Sequence, residues 1–247
     1  MIKGDQGITY VAWGKCIQEA ERSSASAHDF GVKTCLITNE NYQGTAFDEL
    51  VLIPREQLSQ NFNIVNTYHL SPWSNTLWLD SDTFVLGELD YAFEMAKMHG
   101  IAVVIAPHSS LRGRGLEDIP ADAPEYNCGA LWIDTTHPST KNFGQEWKAI
   151  TKDYRKKGWW SDQTSLSYAI YKLNINPYVL PLNWNFRAFM NHEFPSPIFH
   201  TSHGCGPIKI WHSRTPVPER FDVRTEEFWH LRENIVSKIY YRFFKRK

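Results

Sequence analysis

Short apolar runs alternate with stretches of helical period through the first half of the chain. Residues 8–12 (ITYVA), 32–38 (VKTCLIT), 49–53 (ELVLI), 76–79 (TLWL) and 101–106 (IAVVIA) read as strands, the last two apolar enough to be buried in a sheet. Between them, 15–28 reads as a helix stopped by Gly31, and 63–70 as a short helix ending before Pro72. Leu89, Ala92, Phe93 and Ala96 fall on one helical stripe closed by Gly100. This β–α alternation predicts an α/β fold on a mainly parallel sheet.

Regularity fades further on. Residues 109–126 carry Arg112 and Arg114 without apolar periodicity and predict a mobile loop, long enough to serve as a lid. Residues 128–134 read as a strand, and 141–157 and 162–173 as helices, the second with Asp162 in capping position. Residues 178–211 are rich in Pro, Asn and aromatics, with one short strand at 208–211, and a helix from about residue 226 leads to a basic end. The organisation expected is one domain over 1–225 and a basic, aromatic tail over 226–247.

Composition narrows the class. With 42% hydrophobic residues, a 247-residue chain can bury a sizeable core, and a 21% charged fraction is too low for a disordered polyelectrolyte. Lys and Arg number 26 against 27 Asp and Glu, so a general nucleic-acid binder, which needs a cation surplus, is not expected. Cys16, Cys35, Cys128 and Cys205 lie far apart and read as reduced thiols. The opening MIKGDQGITYVAWG lacks the apolar core of a signal peptide, and no apolar run reaches the length of a membrane span; a soluble cytoplasmic protein is expected. The tail SKIYYRFFKRK fits two descriptions: a segment lying at an anionic membrane surface, or a terminal helix that packs its aromatics and keeps its cations in water. Aromatic residues reach 14%, a surplus that supplies flat faces for bases and sugars as well as core bulk.

The candidate chemistry begins at Asp80 and Asp82, directly after TLWL. In an extended segment residues i and i+2 share a face, so both carboxylates would enter the cleft beyond the strand's carboxyl end while Ser81 turns away. Two hard oxygen ligands suit Mg²⁺ or Mn²⁺ bridging a diphosphate leaving group; the plainer alternative is a strand-end turn with solvated carboxylates. Tyr10, Ala12, Trp13 and Gly14, at the turn after the first strand, form a natural base site, with Tyr10 placed to stack and Asn39 after the second strand placed to meet base or ribose. Asn127 can exchange hydrogen bonds with sugar hydroxyls, and Gly129 leaves room for a ring.

LWLDSDTFVLGEL, residues 77–89, resembles the Asp-x-Asp segment of nucleotide-sugar glycosyltransferases with the GT-A fold, the family 8 (glycogenin-like) type in particular. In that family's order, YNCGALWID (126–134) resembles the Asn-x-Gly strand, WWSDQTSLSYAI (159–170) the Asp-Gln helix start, LPLNWNFRAF (180–189) the segment after it, and IKIWHSR (208–214) the late strand with a metal-ligating histidine. The resemblance implies a Rossmann-like GT-A domain with a mixed, mainly parallel sheet flanked by helices. It implies Asp80, Asp82 and His212 as ligands of Mn²⁺ or Mg²⁺, and Asp162, Gln163 and Asn127 at the reacting sugar. Tyr10, Ala12, Trp13, Gly14, Asn39, Ser81, Gly129 and Arg214 would hold the nucleotide sugar, UDP-linked, with a carbohydrate or glycoconjugate as acceptor and retention of configuration. HGCGPIKIW also fits a His-x-x-Gly-x-x-Lys pattern of the family, which would make His203 the ligand and Lys209 the diphosphate contact. Where the family carries a basic residue well before the first Asp, this chain has Ile64, which leaves the phosphates to Arg112, Arg114 or Arg214. Two other readings stay open: a non-catalytic nucleotide- or carbohydrate-binding module, and an aspartyl-nucleophile phosphatase, whose motif would want Thr or Val where Phe84 stands.

Overall fold

The strand β1 (Gly4–Val11) pairs in parallel with β2 (Thr34–Thr38) on one side and with β4 (Trp73–Leu79) on the other, and β3 (Glu49–Leu52) extends the sheet beyond β2. On the far side of β4, β7 (Pro124–Asp134) runs antiparallel to both β4 and β6 (Ile101–Ser110), and β8 (Tyr178–Leu180) closes the order β3-β2-β1-β4-β7-β6-β8. A second sheet sets β10 (Ile210–His212) between β5 (Thr83–Val85) and β9 (Phe186–Arg187). These elements come from a computed structural model that describes residues 4–55, 63–110, 120, 123–157, 161–187 and 209–212. The architecture is α/β with a mixed, mainly parallel sheet flanked by helices, as expected.

Strand alternation sorts side chains onto two helical layers. Leu36, Leu77, Leu79 and Trp132 share one buried cluster with α1 (Lys15–His28) and α3 (Asp90–His99). Ile37, Trp78, Leu131 and Ile133 share the other with α2 (Asn63–Thr67), α4 (Phe143–Lys156) and α5 (Asp162–Lys172). Each helix follows its apolar stripe: in α3, Ala92, Phe93 and Ala96 are buried, and Gly100 ends the helix at φ 82°, a left-handed geometry that costs other residues free energy. Two of the large aromatics find partners for their indole N–H groups. Trp73 donates to Ile8 O at 3.2 Å, and Trp147 Nε1 donates to Ser165 Oγ at 3.0 Å.

Several expectations change here. Residues 109–110 and 124–126 belong to β6 and β7, whose outer rungs pair Ser110 with Pro124, so the irregular stretch is shorter than its composition suggested. The proposed lid arginines Arg112 and Arg114 lie outside the described residues, as do Cys205 and the tail from 213 onward. Strands β5, β8 and β9 were not anticipated. Trp78, Trp132 and Trp147 are wholly buried, so much of the aromatic surplus is core rather than ligand surface. No helix among the described residues is long and apolar enough to cross a membrane. Cys16, Cys35 and Cys128 are free thiols, as expected for the three that are described.

Candidate active site

The carboxyl end of β4 is tied to its neighbours by backbone hydrogen bonds. Asp80 N–H donates to Gly129 O at 2.9 Å, and Thr83 Oγ1 donates back to Asp80 O at 2.7 Å. Asp80–Ser81–Asp82 is therefore a turn into β5, not an extended segment, and the alternation argument does not hold across it. Asp80 acts electrostatically on Asp162 at the start of α5, and Asp82 on Cys16 in the first turn of α1. Ser81 Oγ donates to Glu19 Oε2 at 3.4 Å, which also ties the turn to α1.

Gly129 meets Asp80 as the next rung of the β4–β7 ladder after Leu79–Ala130, and on its other edge β7 bulges. Pairing with β6 jumps from Val103–Leu131 to Val104–Asn127, so residues 128–130 have no partners on that side. Asn127, buried, folds its Oδ1 back to accept Gly129 N–H at 2.8 Å and pins the bulge. Cys128 Sγ donates to Asp162 Oδ1 at 3.3 Å, so the same bulge touches both aspartates' surroundings.

Asp162 is the first residue of α5 and not its cap. Ser161 caps the helix, accepting Thr164 N–H at 3.3 Å, while Asp162 Oδ1 accepts the N–H of Gln163 at 2.8 Å. Burial, and then the negative charge of Asp80, push the Asp162 carboxyl up to about 6 despite those hydrogen bonds. Gln163 is half-buried beside it. Glu125, missed in the sequence, is wholly buried next to this helix and accepts Thr164 Oγ1 at 2.6 Å; its only signal was an acid inside an apolar strand.

The expected nucleotide residues divide. Tyr10 and Ala12 are wholly buried, and the Tyr10 hydroxyl shares a 2.9 Å hydrogen bond with Ser23, so Tyr10 is a core residue and not a stacking face. Trp13 is half-buried and Gly14 exposed at the mouth, where Gly14, at φ 57°, donates its N–H to Glu40 Oε1 at 2.5 Å. Asn39 is half-buried, and its Oδ1 is a buried acceptor without a hydrogen-bond partner.

His212 stands in register with Thr83, next to Asp82, and with Arg187 on β9. Its backbone thus flanks the Asp80–Asp82 turn; His203 and Arg214 lie outside the described residues. The Lys209 ammonium lies 5.9 Å from the Trp184 ring centroid, and its stem runs past Gly87. Among the described residues no three His, Cys, Asp or Glu side chains converge as a metal-binding group.

A parallel β3-β2-β1-β4 half-sheet joined to an antiparallel, bulged β7, with an Asp-x-Asp turn at the carboxyl end of β4, defines an α/β fold of the GT-A type. No protein-family model matches the chain, and no curated protein matches it by sequence. Solved structures of glycosyltransferases do match. Mouse xyloside xylosyltransferase 1 in its apo form has a TM-score of 0.56 at 13% identity, over 87% of this chain and 100% of that one. The glycosyltransferase GlyE of Streptococcus pneumoniae TIGR4 has 0.60 at 20%, over 98% of this chain, which spans 64% of GlyE. An active-site glutamine-to-glutamate mutant of LgtC has 0.59 at 11%, over 94% of each chain. At these identities the likeness establishes the fold, that of the GT-A glycosyltransferases.

Proposed function

We propose that this protein is a metal-dependent glycosyltransferase that moves a sugar from a UDP-linked donor to an acceptor hydroxyl with retention of configuration. The observation that carries the reading is the joint at the end of β4, where Asp80 is held by the Asn127–Gly129 bulge and its charge bears on Asp162. The charge of Asp80 raises the proton affinity of Asp162, and such a concentration of negative charge is one that a divalent cation relieves. Asp80 and Asp82 would hold that ion, and His212 would complete a mixed N/O set that favours Mn²⁺ over Mg²⁺. When bound, the metal neutralises charge on the departing diphosphate.

The chain's own groups do the rest. Trp13, Gly14 and Asn39 receive the nucleotide, the unpartnered Asn39 Oδ1 accepting an N–H of the base or a ribose hydroxyl. Asp162, Gln163 and Asn127 position the sugar hydroxyls, with Gly129 beneath the ring. The LgtC structure carries a substitution of an active-site glutamine, and Gln163 is our candidate for that place here. No strong protein base is needed at the acceptor, because the leaving diphosphate can take its proton. Calorimetric titration of UDP with and without Mn²⁺, followed by a turnover assay on UDP-xylose and UDP-hexoses, tests the reading. Mn²⁺-dependent UDP binding that Asp80→Asn abolishes, with release of UDP from one donor, is expected. Binding without turnover would make the chain a binding module, and absence of both would overturn the proposal.

A further inference from the structure

A cleft of about 420 Å³ opens between α2 and α4, outside the site above. Thr135, on its wall, donates to Ser74 O at the start of β4, whereas Asp80 follows the end of that strand. Roughly 20 Å of extended chain separates the two ends. The volume falls in the range of small-molecule pockets, about 300–1,000 Å³, and exceeds what a bare ion needs.

Its lining combines an aromatic floor with converging positive donors. Lys148 follows Gly144 by four residues on α4, so both lie on one helix face, and Lys141, just before the helix entry at Asn142, brings a second ammonium to the same cleft. Gly144 allows the Tyr68 ring to lie against the helix, since a Cβ there would fall 2.3 Å from Tyr68 Cδ1. The helix enters at Asn142 without a side-chain cap, so its first N–H groups keep their partial positive charge for an acceptor. His69 adds an imidazole from the opposite wall. Among the described residues no acid lines the cleft, though the charge of Asp134, next to the lining residue Thr135, bears on the Tyr68 hydroxyl, which is itself buried away from solvent.

We propose that this cleft is a second ligand site, which takes a phosphate monoester borne on a small ring. Two ammonium groups, an imidazole and a helix N-terminus offer more donors than a single carboxylate uses, and the Tyr68 ring with Val65 gives the organic part an apolar seat. The site shares no residue with the proposed donor site, so its fate is independent of that reading.

The test uses the full chain in EDTA, so that no metal recruits phosphate to Asp80, and follows phenyl phosphate binding by ligand-observed NMR. Phenol and inorganic phosphate serve as separate arms. Phenyl phosphate is expected to bind more tightly than either fragment, to resist displacement by UDP, and to weaken by about tenfold in Lys141→Gln/Lys148→Gln, the size of one lost charge-assisted hydrogen bond. These exposed positions can be changed without disturbing the core. Absence of binding at millimolar concentration, displacement by UDP, or unchanged affinity in the double variant would overturn the proposal.

Discussion

Replacing Asn127 with alanine tests whether the β7 bulge holds Asp80 in place. Asn127 is 2% exposed, and its Oδ1 takes the N–H of Gly129, which has no partner on the β6 edge. With that acceptor gone, a buried N–H is left unsatisfied at a cost of about 1–3 kcal/mol. For a domain of this size each kcal/mol moves the melting temperature by about 2–4 °C, so a loss of about 4–8 °C is expected at the centre of that range. Asn127→Asp keeps an acceptor oxygen at the same place and should retain more of the stability. The second consequence is functional. Gly129 O holds the Asp80 N–H, so a relaxed bulge should also weaken Mn²⁺-dependent UDP binding. The coupling is read in a double-mutant cycle with Asp80→Glu, which keeps a carboxylate and so leaves binding measurable, following UDP affinity by calorimetry: the two effects should be less than additive. Wild-type melting in Asn127→Ala, or strictly additive effects on affinity, would refute the view that the bulge positions Asp80.

Two further outcomes follow from local physics. The folded chain holds the Asp162 proton up to about pH 6, whereas the unfolded chain releases it near the ordinary carboxylate value of 3.8. Between those values the folded state binds more protons, so the metal-free protein should lose stability as pH rises from about 4 to about 6 and stay level above. Denaturation midpoints across that range should show the slope in wild type and lose it in Asp162→Asn; an identical slope in both would exclude Asp162 as its source. Gly100→Ala forces a Cβ into φ 82° and to within 2.4 Å of Ser139 Oγ, and should cost about 2 kcal/mol or more in urea unfolding, with an unchanged midpoint as the contrary result.

The elements legible in the sequence are those long enough to show a period and sharp enough to show a stop. Residues 15–28 and the stripe closed by Gly100 became α1 and α3 almost to the residue, because amphipathic spacing and a left-handed glycine are local facts. Strands β5, β8 and β9 hold two or three residues each, too few for alternation to register, and exist because β10 and β6 supply partners distant in the chain. At the start of α5, Ser161 and Asp162 are both good caps, and only the fold decides that Ser161 turns its oxygen onto Thr164 N–H. Burial is similarly unreadable at Tyr10: alternation gives the face, but not that α1 supplies Ser23 to absorb its hydroxyl.

The candidate site shows the same division more sharply. Asp80, Asn127 and Asp162 were each picked out from their own segments, yet what relates them is two bonds between segments, Asp80 N–H to Gly129 O and Cys128 Sγ to Asp162, and one within 126–134, Gly129 N–H to Asn127 Oδ1. All three bonds pass through residues 127–129, where β7 breaks its pairing with β6. The Asp80–Gly129 bond continues the β4–β7 register past Leu79–Ala130, whereas the other two are made where β7 leaves its register with β6. The irregularity on the β6 edge therefore links β7 to α5 through Cys128 and Asp162, and substitutions that restore regular pairing at 128–130 should weaken Mn²⁺-dependent UDP binding in calorimetry, with unchanged affinity the contrary result.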